Sequence, residues 1–303
     1  MGLKQDSVSN ALALEALAYG DLSLAMSVSI PLLTAQIIAE HGSEEQKAKL
    51  LPEFVAGSIF QVGLGINNAM ISTDSYQSSV SAKEQGEEII LDGSKAGIAY
   101  AKDAKFFLIS ASNESGECDL YLVNKDQKGL KLEDKEYMGL KGTPLSQISF
   151  SNCKISVSQK LGGHNYSINY QSLIDSSRIG MSALALGVCQ AVLDYVVPYT
   201  NERVAFDEPI SNRQSVAFLV ADMAIETEAL RLMVYKSAAL KDLEEDFHKQ
   251  ASLTYRFATH HGMKIGTDGV QLLGGHGFTH EHPVELWYRN LRAIGIFEGG
   301  AGV

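Results

Sequence analysis

Two stretches near the end of the chain decide its reading: Gln271-Leu272-Leu273-Gly274-Gly275-His276-Gly277-Phe278 and the closing Ile296-Phe297-Glu298-Gly299-Gly300-Ala301-Gly302-Val303. In the second, one carboxylate follows two large apolar side chains and precedes a glycine-rich end. Apolar neighbours desolvate a carboxylate, and desolvation moves its pKa up towards the range in which it works as a base. Glycines let the backbone come close to a ligand. A Gly-Gly-x-Gly run alone is more often a turn than a site. Its spacing to Glu298 is what gives it meaning here.

The bulk numbers set the class. The 303 residues carry 45% hydrophobic and 20% charged side chains, as an ordinary globular protein does, and suffice for two or three structural units. A net charge of −11 speaks against binding to phosphate backbones or acidic membrane surfaces. Cys118, Cys153 and Cys189 are scattered and odd in number, which predicts reduced thiols in a cytoplasm. No basic region followed by an apolar run marks a signal peptide. The apolar stretches read as broken by polar residues before the ~20 positions that a bilayer requires. The expectation is a soluble, cytoplasmic protein.

Three textures follow one another. Residues 1–58 read as helical, with leucines among alanines and a break at Gly20-Asp21. Pro31 is expected to open an apolar helix ended by His41-Gly42, and Ser43 with Gln46 forms a capping-box pattern for a helix from Glu44 to Val55, kinked or ended early by Pro52 and closed by Gly57. Residues 59–162 carry short β-prone runs, including Phe106–Ile109, Leu120–Val123 and Ile148–Phe150, and Asp92-Gly93 after Ile89-Ile90-Leu91 reads as a hairpin turn. From 163 to 303 the helical pattern returns. Long helices are expected over Arg178–Tyr199 and Phe247–Leu273, and another is expected with a buried stripe through Val216, Leu219, Val220, Met223, Thr227, Leu230 and Val234. The fold class is α+β multidomain: N-terminal helices, a central antiparallel β-barrel or sandwich, and a C-terminal helical bundle.

Taken with Glu281, Pro283-Val284-Glu285, Tyr288-Arg289 and Arg292, the closing stretch resembles the C-terminal signature of the acyl-CoA dehydrogenases. Gln36 to Lys47 is similar to that family's helix pair before the β-domain, Tyr137 to Pro144 to its late barrel segment, and Asn201-Glu202-Arg203-Val204-Ala205-Phe206 with Gln214 to Phe218 to its bundle signature. The resemblance runs over nearly the whole chain. It implies FAD-dependent α,β-dehydrogenation of an acyl-CoA, with Glu298 taking the α-proton and the flavin taking the hydride. Some members carry the base just before an arginine at the start of the bundle; here that place is Ser177, which is no carboxylate.

The resemblance assigns further roles. Arg178, Phe297 and Gly299 border the substrate. Arg203, Phe206, Gln214, Gln271, Gly274 and Gly275 reach the flavin's pyrophosphate and adenine, with a guanidinium suited to phosphate oxygens. Thr73, Ile98 and Ala99 stand where the family holds the flavin ring. Because the family's flavin lies between subunits, a homo-oligomer or a hetero-oligomer with a related chain is implied, with electron-transferring flavoprotein as the electron acceptor. His276, His280 and His282 lack a supporting set of ligands, so no metal is expected.

The ring-contacting motifs depart from the family. Its Trp-Ile-Thr is Gly97-Ile98-Ala99, its Thr-Glu-Pro and Gly-Ser-Asp are Asn67-Asn68-Ala69 and Ser72-Thr73-Asp74, the glycine after Phe206 is Asp207, and the threonine after Glu-Gly is Gly300. A second reading therefore stands beside the first: a flavin-poor, weakly active or inactive paralogue that serves as a structural or binding subunit of a hetero-oligomer. The acyl length, and whether the thioester is on CoA or a carrier protein, are not written in these motifs.

Overall fold

The computed structural model describes residues 6–56, 62–68, 75–298 and 302–303. Four helices open the chain: α1 (Ser7–Gly20), α2 (Leu22–His41), α3 (Glu44–Leu50) and α4 (Glu53–Ala56). Asp21 ends α1 and caps α2 by accepting from the Leu24 N–H. The Ser43–Gln46 capping box forms as read, each side chain bonding the other's backbone N–H. Two local expectations change. Pro31 lies inside α2 rather than opening a helix. The helix from Glu44 stops at Leu50, before Pro52, and α4 restarts at Glu53, so Pro52 separates two helices.

Seven strands follow: β1 (Val62–Gly65), β2 (Val80–Gln85), β3 (Glu88–Ala99), β4 (Phe106–Ser112), β5 (Cys118–Asn124), β6 (Leu130–Asp134) and β7 (Leu145–Ser156). They form one sheet in the order β1-β4-β2-β3-β7-β6, with β5 also on β4. Pairing is antiparallel except that β1 and β2 each run parallel to β4. The Asp92-Gly93 turn does not exist. Both residues lie within β3, and the β2–β3 hairpin turns instead at Gly86-Glu87. Gly93 sits at φ +129 beside a register shift opposite β7, and a Cβ there would run into the Ser79 carbonyl, so its glycine serves a bulge.

The remaining chain is α5 (Tyr170–Glu202), the short β8 (Val204–Ala205) and β9 (Glu208–Pro209), α6 (Gln214–Asp242), α7 (His248–Leu273), a 3-10 turn Gly274–Phe278, and α8 (Val284–Ile294). α5 is the axis of the molecule, touching α1, α2, α6, α7 and α8. From Ile174 to Val192 nearly every side chain is buried. Each buried Leu, Ile, Val or Met contributes roughly 1.5–3 kcal/mol, so burial far outweighs surface ion pairs in holding this helix. On α6, Met223, Thr227, Leu230 and Val234 are buried, while Val216, Leu219 and Val220 are half-buried.

α2 and α5 contain windows long and apolar enough to cross a membrane, contrary to the reading that such stretches are interrupted. The polar residues that look like interruptions turn inward: Ser27 and Thr34 hydroxyls donate to the Ser23 and Ile30 carbonyls, each at 2.8 Å. Most of each window is packed inside the protein (72% and 78%), as in the core helices of a folded domain.

At Gly187, α1 packs directly against the backbone of α5. A Cβ there would strike the Glu15 carbonyl and the Tyr19 amide. Glu15 is also held by Arg231 and Tyr235 of α6, and Arg231 reaches Gln190 of α5 at 2.7 Å. Gly187→Ala should therefore push two helices apart and lower stability by about 1–3 kcal/mol in urea unfolding. An unchanged midpoint would contradict this packing.

Candidate active site

The first turns of α5 bring Asp175 and Arg178 to the inner end of the bundle, and the segment after α8 brings Phe297 and Glu298 to the same place. Arg178 Nε donates to Glu298 Oε1 at 3.0 Å. Its Nη1 donates to the Tyr76 hydroxyl at 2.5 Å, to Ser252 Oγ at 2.9 Å and, more weakly, to Asp175 Oδ1 at 3.3 Å. The side chains of Arg178 and Glu298 are only 13% and 15% exposed. Burial works against the guanidinium's charge, but the carboxylate of Glu298, with Tyr76 and Asp175, outweighs it and raises the Arg178 pKa. Glu298 Oε2 is buried and has no hydrogen-bond partner among the described residues. A buried anionic oxygen left unpaired costs at least about 1–3 kcal/mol, so natural structures keep few of them outside sites that bind something.

Around this pair stand phenols that stay protonated. Tyr255 donates to the Ile294 carbonyl at 2.6 Å and Tyr170 to Ser110 at 3.2 Å. Burial pushes both pKa values well above the ordinary tyrosine value, and the Glu298 charge adds to the effect. Phe297 is buried, its ring 5.3 Å from Tyr137 in an edge-on contact. It lies over Gly97, whose φ of +66 and missing side chain leave room for that ring. Where the family resemblance expects an indole, this chain has glycine, and Phe297 fills the space.

The other assigned residues fall elsewhere. Ile98 and Ala99 are buried in β3, on the strand next to Gly97. Thr73 and Gly299 lie outside the described residues. Arg203, Phe206, Gln214, Gln271, Gly274 and Gly275 gather at the opposite end of the bundle, where α5 and α7 end and α6 begins. The Tyr199 hydroxyl bonds His276 Nδ1 at 2.9 Å and links the end of α5 to the glycine turn. Phe206 and Asp207 form the two-residue turn between β8 and β9, both with positive φ, and Phe206 is 86% exposed beneath Arg213. At Gly274 and Gly275 a Cβ would meet nothing, so their backbone faces open space. Arg178 and Arg203 are 25 positions apart on one helix, about 38 Å at 1.5 Å per residue. One chain does not bring these two clusters together.

His276 and His282 stack on each other and bond tyrosines, and His280 pairs with Glu285. A groove of about 1050 Å³ lies along α6 and α7 between Met233, Phe257, His260, Lys264 and Arg292, and Glu298 is not among the residues that line it. Tyr76, Asp175, His248 and Ser252 belong to the site without having been singled out from the sequence. Asp175 alone carries a sequence signal, a carboxylate directly after Leu173-Ile174, and it is 1% exposed.

Comparison with known proteins places the fold in a family. The acyl-CoA dehydrogenase N-terminal, middle and C-terminal domain models match residues 1–58, 68–153 and 169–303. The probable acyl-CoA dehydrogenase FadE25 of Mycobacterium tuberculosis is 32% identical over 98% of this chain and 78% of its own length. Butyryl-CoA dehydrogenase from Megasphaera elsdenii superposes with a TM-score of 0.83 at 29% identity, over 97% of this chain and 79% of that one. Glutaryl-CoA dehydrogenase from Mycobacterium smegmatis, in complex with FADH2, superposes at 0.86 with 26% identity, over 97% and 76%. The chain belongs to the acyl-CoA dehydrogenase family.

Lys95 ties β3 to the segment after β1. It is fully buried in β3, and its Nζ donates to the Ile66 carbonyl at 3.0 Å and to Asn68 Oδ1 at 2.9 Å. Burial pushes its pKa down to about 7. An unfolded lysine holds its proton to ~10.4, so between roughly pH 7 and 10 the unfolded state binds more protons and stability rises with pH. Lys95→Met should flatten that rise when unfolding is measured at about pH 7 and about pH 9.5. An equal rise in both proteins would contradict a neutral buried amine.

Proposed function

We propose that this chain is a FAD-dependent acyl-CoA dehydrogenase in which Glu298 removes the α-proton of an acyl thioester. The observation that carries the reading is the asymmetry of Glu298: one oxygen is held by Arg178 while the other is buried and unengaged. A carboxylate fixed by one oxygen presents the other in a defined direction, as a general base must. Proton uptake does not strand the guanidinium, because Asp175 remains within 3.3 Å of Nη1. Buried Phe297 and half-buried Tyr137 would keep water from the reacting carbon.

The residues present fit a flavin dinucleotide best at its nucleotide end. Arg203 supplies a phosphate-binding guanidinium, Gly274 and Gly275 offer open backbone, and exposed Phe206, Gln214 and Gln271 supply a stacking face and amides. At the ring end the aromatic contact passes from position 97 to Phe297, beside Ile98 and Ala99. When bound, the flavin accepts the β-hydrogen as hydride.

The distance between the two clusters supports an oligomer in which each flavin is completed by a second copy. Phe218, Ile225 and Leu232, each seven positions after the last, form an exposed apolar stripe on α6 suited to such a contact. Electron-transferring flavoprotein is the natural outlet for the electrons, and a cytoplasmic location fits the three buried free cysteines. The units 1–58, 59–162 and 163–303 would be the three domains. Gly97 and Ala99 favour one second reading, a flavin-poor subunit working beside a related flavin-holding chain.

Glu298→Gln tests the assignment. It should lower acyl-CoA dehydrogenation by about 10²–10⁴-fold with flavin content unchanged. Full activity in this variant would remove Glu298 from the chemistry.

A further inference from the structure

The Arg178 guanidinium is held at one end by several groups and touches Glu298 only through Nε. Because the fork is planar, whatever fixes Nη1 also fixes the direction in which Nε points. The short 2.5 Å contact at Nη1 is to Tyr76, whose ring also lies under the guanidinium, 5.0 Å from its carbon. The phenol is itself held. It donates to Asp175 Oδ1 at 3.0 Å, and His248 Nδ1 bonds Asp175 Oδ2 at 2.8 Å. His248 Nδ1 also lies 3.3 Å from the phenol oxygen. The buried Asp175 carboxylate thus has a partner on each oxygen, and the phenol between Asp175 and Arg178 satisfies both.

We propose that Tyr76 is a positioning residue: it fixes the Arg178 fork so that Nε holds Glu298 Oε1 and leaves Oε2 free for the substrate's α-proton. This role rests on the reading of Glu298 as the base. Without the phenol oxygen, Nη1 is left to Ser252 and Asp175, draws closer to the carboxylate than the present 3.3 Å, and Nε turns away from Glu298. The carboxylate then loses its fixed direction although every charged group is still present. The effect falls on proton abstraction and spares thioester binding.

Tyr76→Phe keeps the ring and removes only the oxygen. In the flavin-free chain, the Arg178 Nε–H is expected to give a protected arginine side-chain signal in ¹⁵N NMR, assigned by its loss in Arg178→Lys. Tyr76→Phe should abolish that protection. In the flavin-loaded protein, kcat should fall on the order of tenfold or more, with KM for the acyl-CoA within about two-fold. The isotope effect from deuterium at the substrate α-carbon should rise, because proton abstraction becomes slower relative to the other steps. Asp175→Asn, which weakens the acceptor of the phenol, should lose the same Nε–H protection.

A protected Nε–H signal and an unchanged isotope effect in Tyr76→Phe would overturn the proposal. Full dehydrogenation by Glu298→Gln would instead overturn the base assignment. The flavin-free NMR measurement reads the hold of Tyr76 on Arg178 in either case, so the two failures are told apart.

Discussion

The ion pair between Arg178 and Glu298 is the constraint on which the candidate site depends. It joins the beginning of the bundle's central helix to the segment after its last described helix, 120 positions apart in sequence. A buried pair of this kind is not a source of stability by itself, since taking both charges out of water costs about as much as their attraction returns. Its value lies in direction. Removing one partner leaves the other charged and buried, which typically costs about 3–5 kcal/mol, so the two side chains hold each other in place. The surrounding tyrosines, kept neutral by burial, add hydrogen-bond donors without adding charge.

The same helix that presents Arg178 carries Arg203 at its far end, and this length organises the molecule. The bundle separates a buried polar cluster with a free carboxylate oxygen from an exposed cluster of arginine, aromatic and glycine backbone. A ligand that needs both kinds of contact must draw them from two copies. Phe206 (86%) and Phe278 (90%) are exposed at the second cluster, as is the α6 stripe. The seven-stranded sheet packs beside the first cluster and contributes Gly97 and, through the chain that leads into β2, Tyr76.

Much of this was legible in the sequence, and the reasons differ by element. The long helices declare themselves by three- and four-residue apolar spacing, and Ser43–Gln46 by cap chemistry that is local. Glu298 and Arg178 could be named because each sits in a short pattern. Tyr76, Asp175, His248 and Ser252 could not, because their significance lies in meeting across chain separations of up to 172 positions. Asp92-Gly93 misled because a glycine with positive φ serves a bulge as well as a turn. The polar residues of α2 misled because hydroxyls that bond their own helix do not interrupt it. The exchange between Gly97 and Phe297 needed three dimensions: a lost side chain on a strand is made good by one that is two hundred positions later.

The most direct test of the account is the visible absorption spectrum of the purified chain after addition of excess FAD and desalting, followed by anaerobic addition of acyl-CoA thioesters. The account predicts flavin bands retained at close to one per chain and bleached by at least one acyl-CoA. A chain that retains no flavin, or whose flavin no acyl-CoA bleaches, would contradict it.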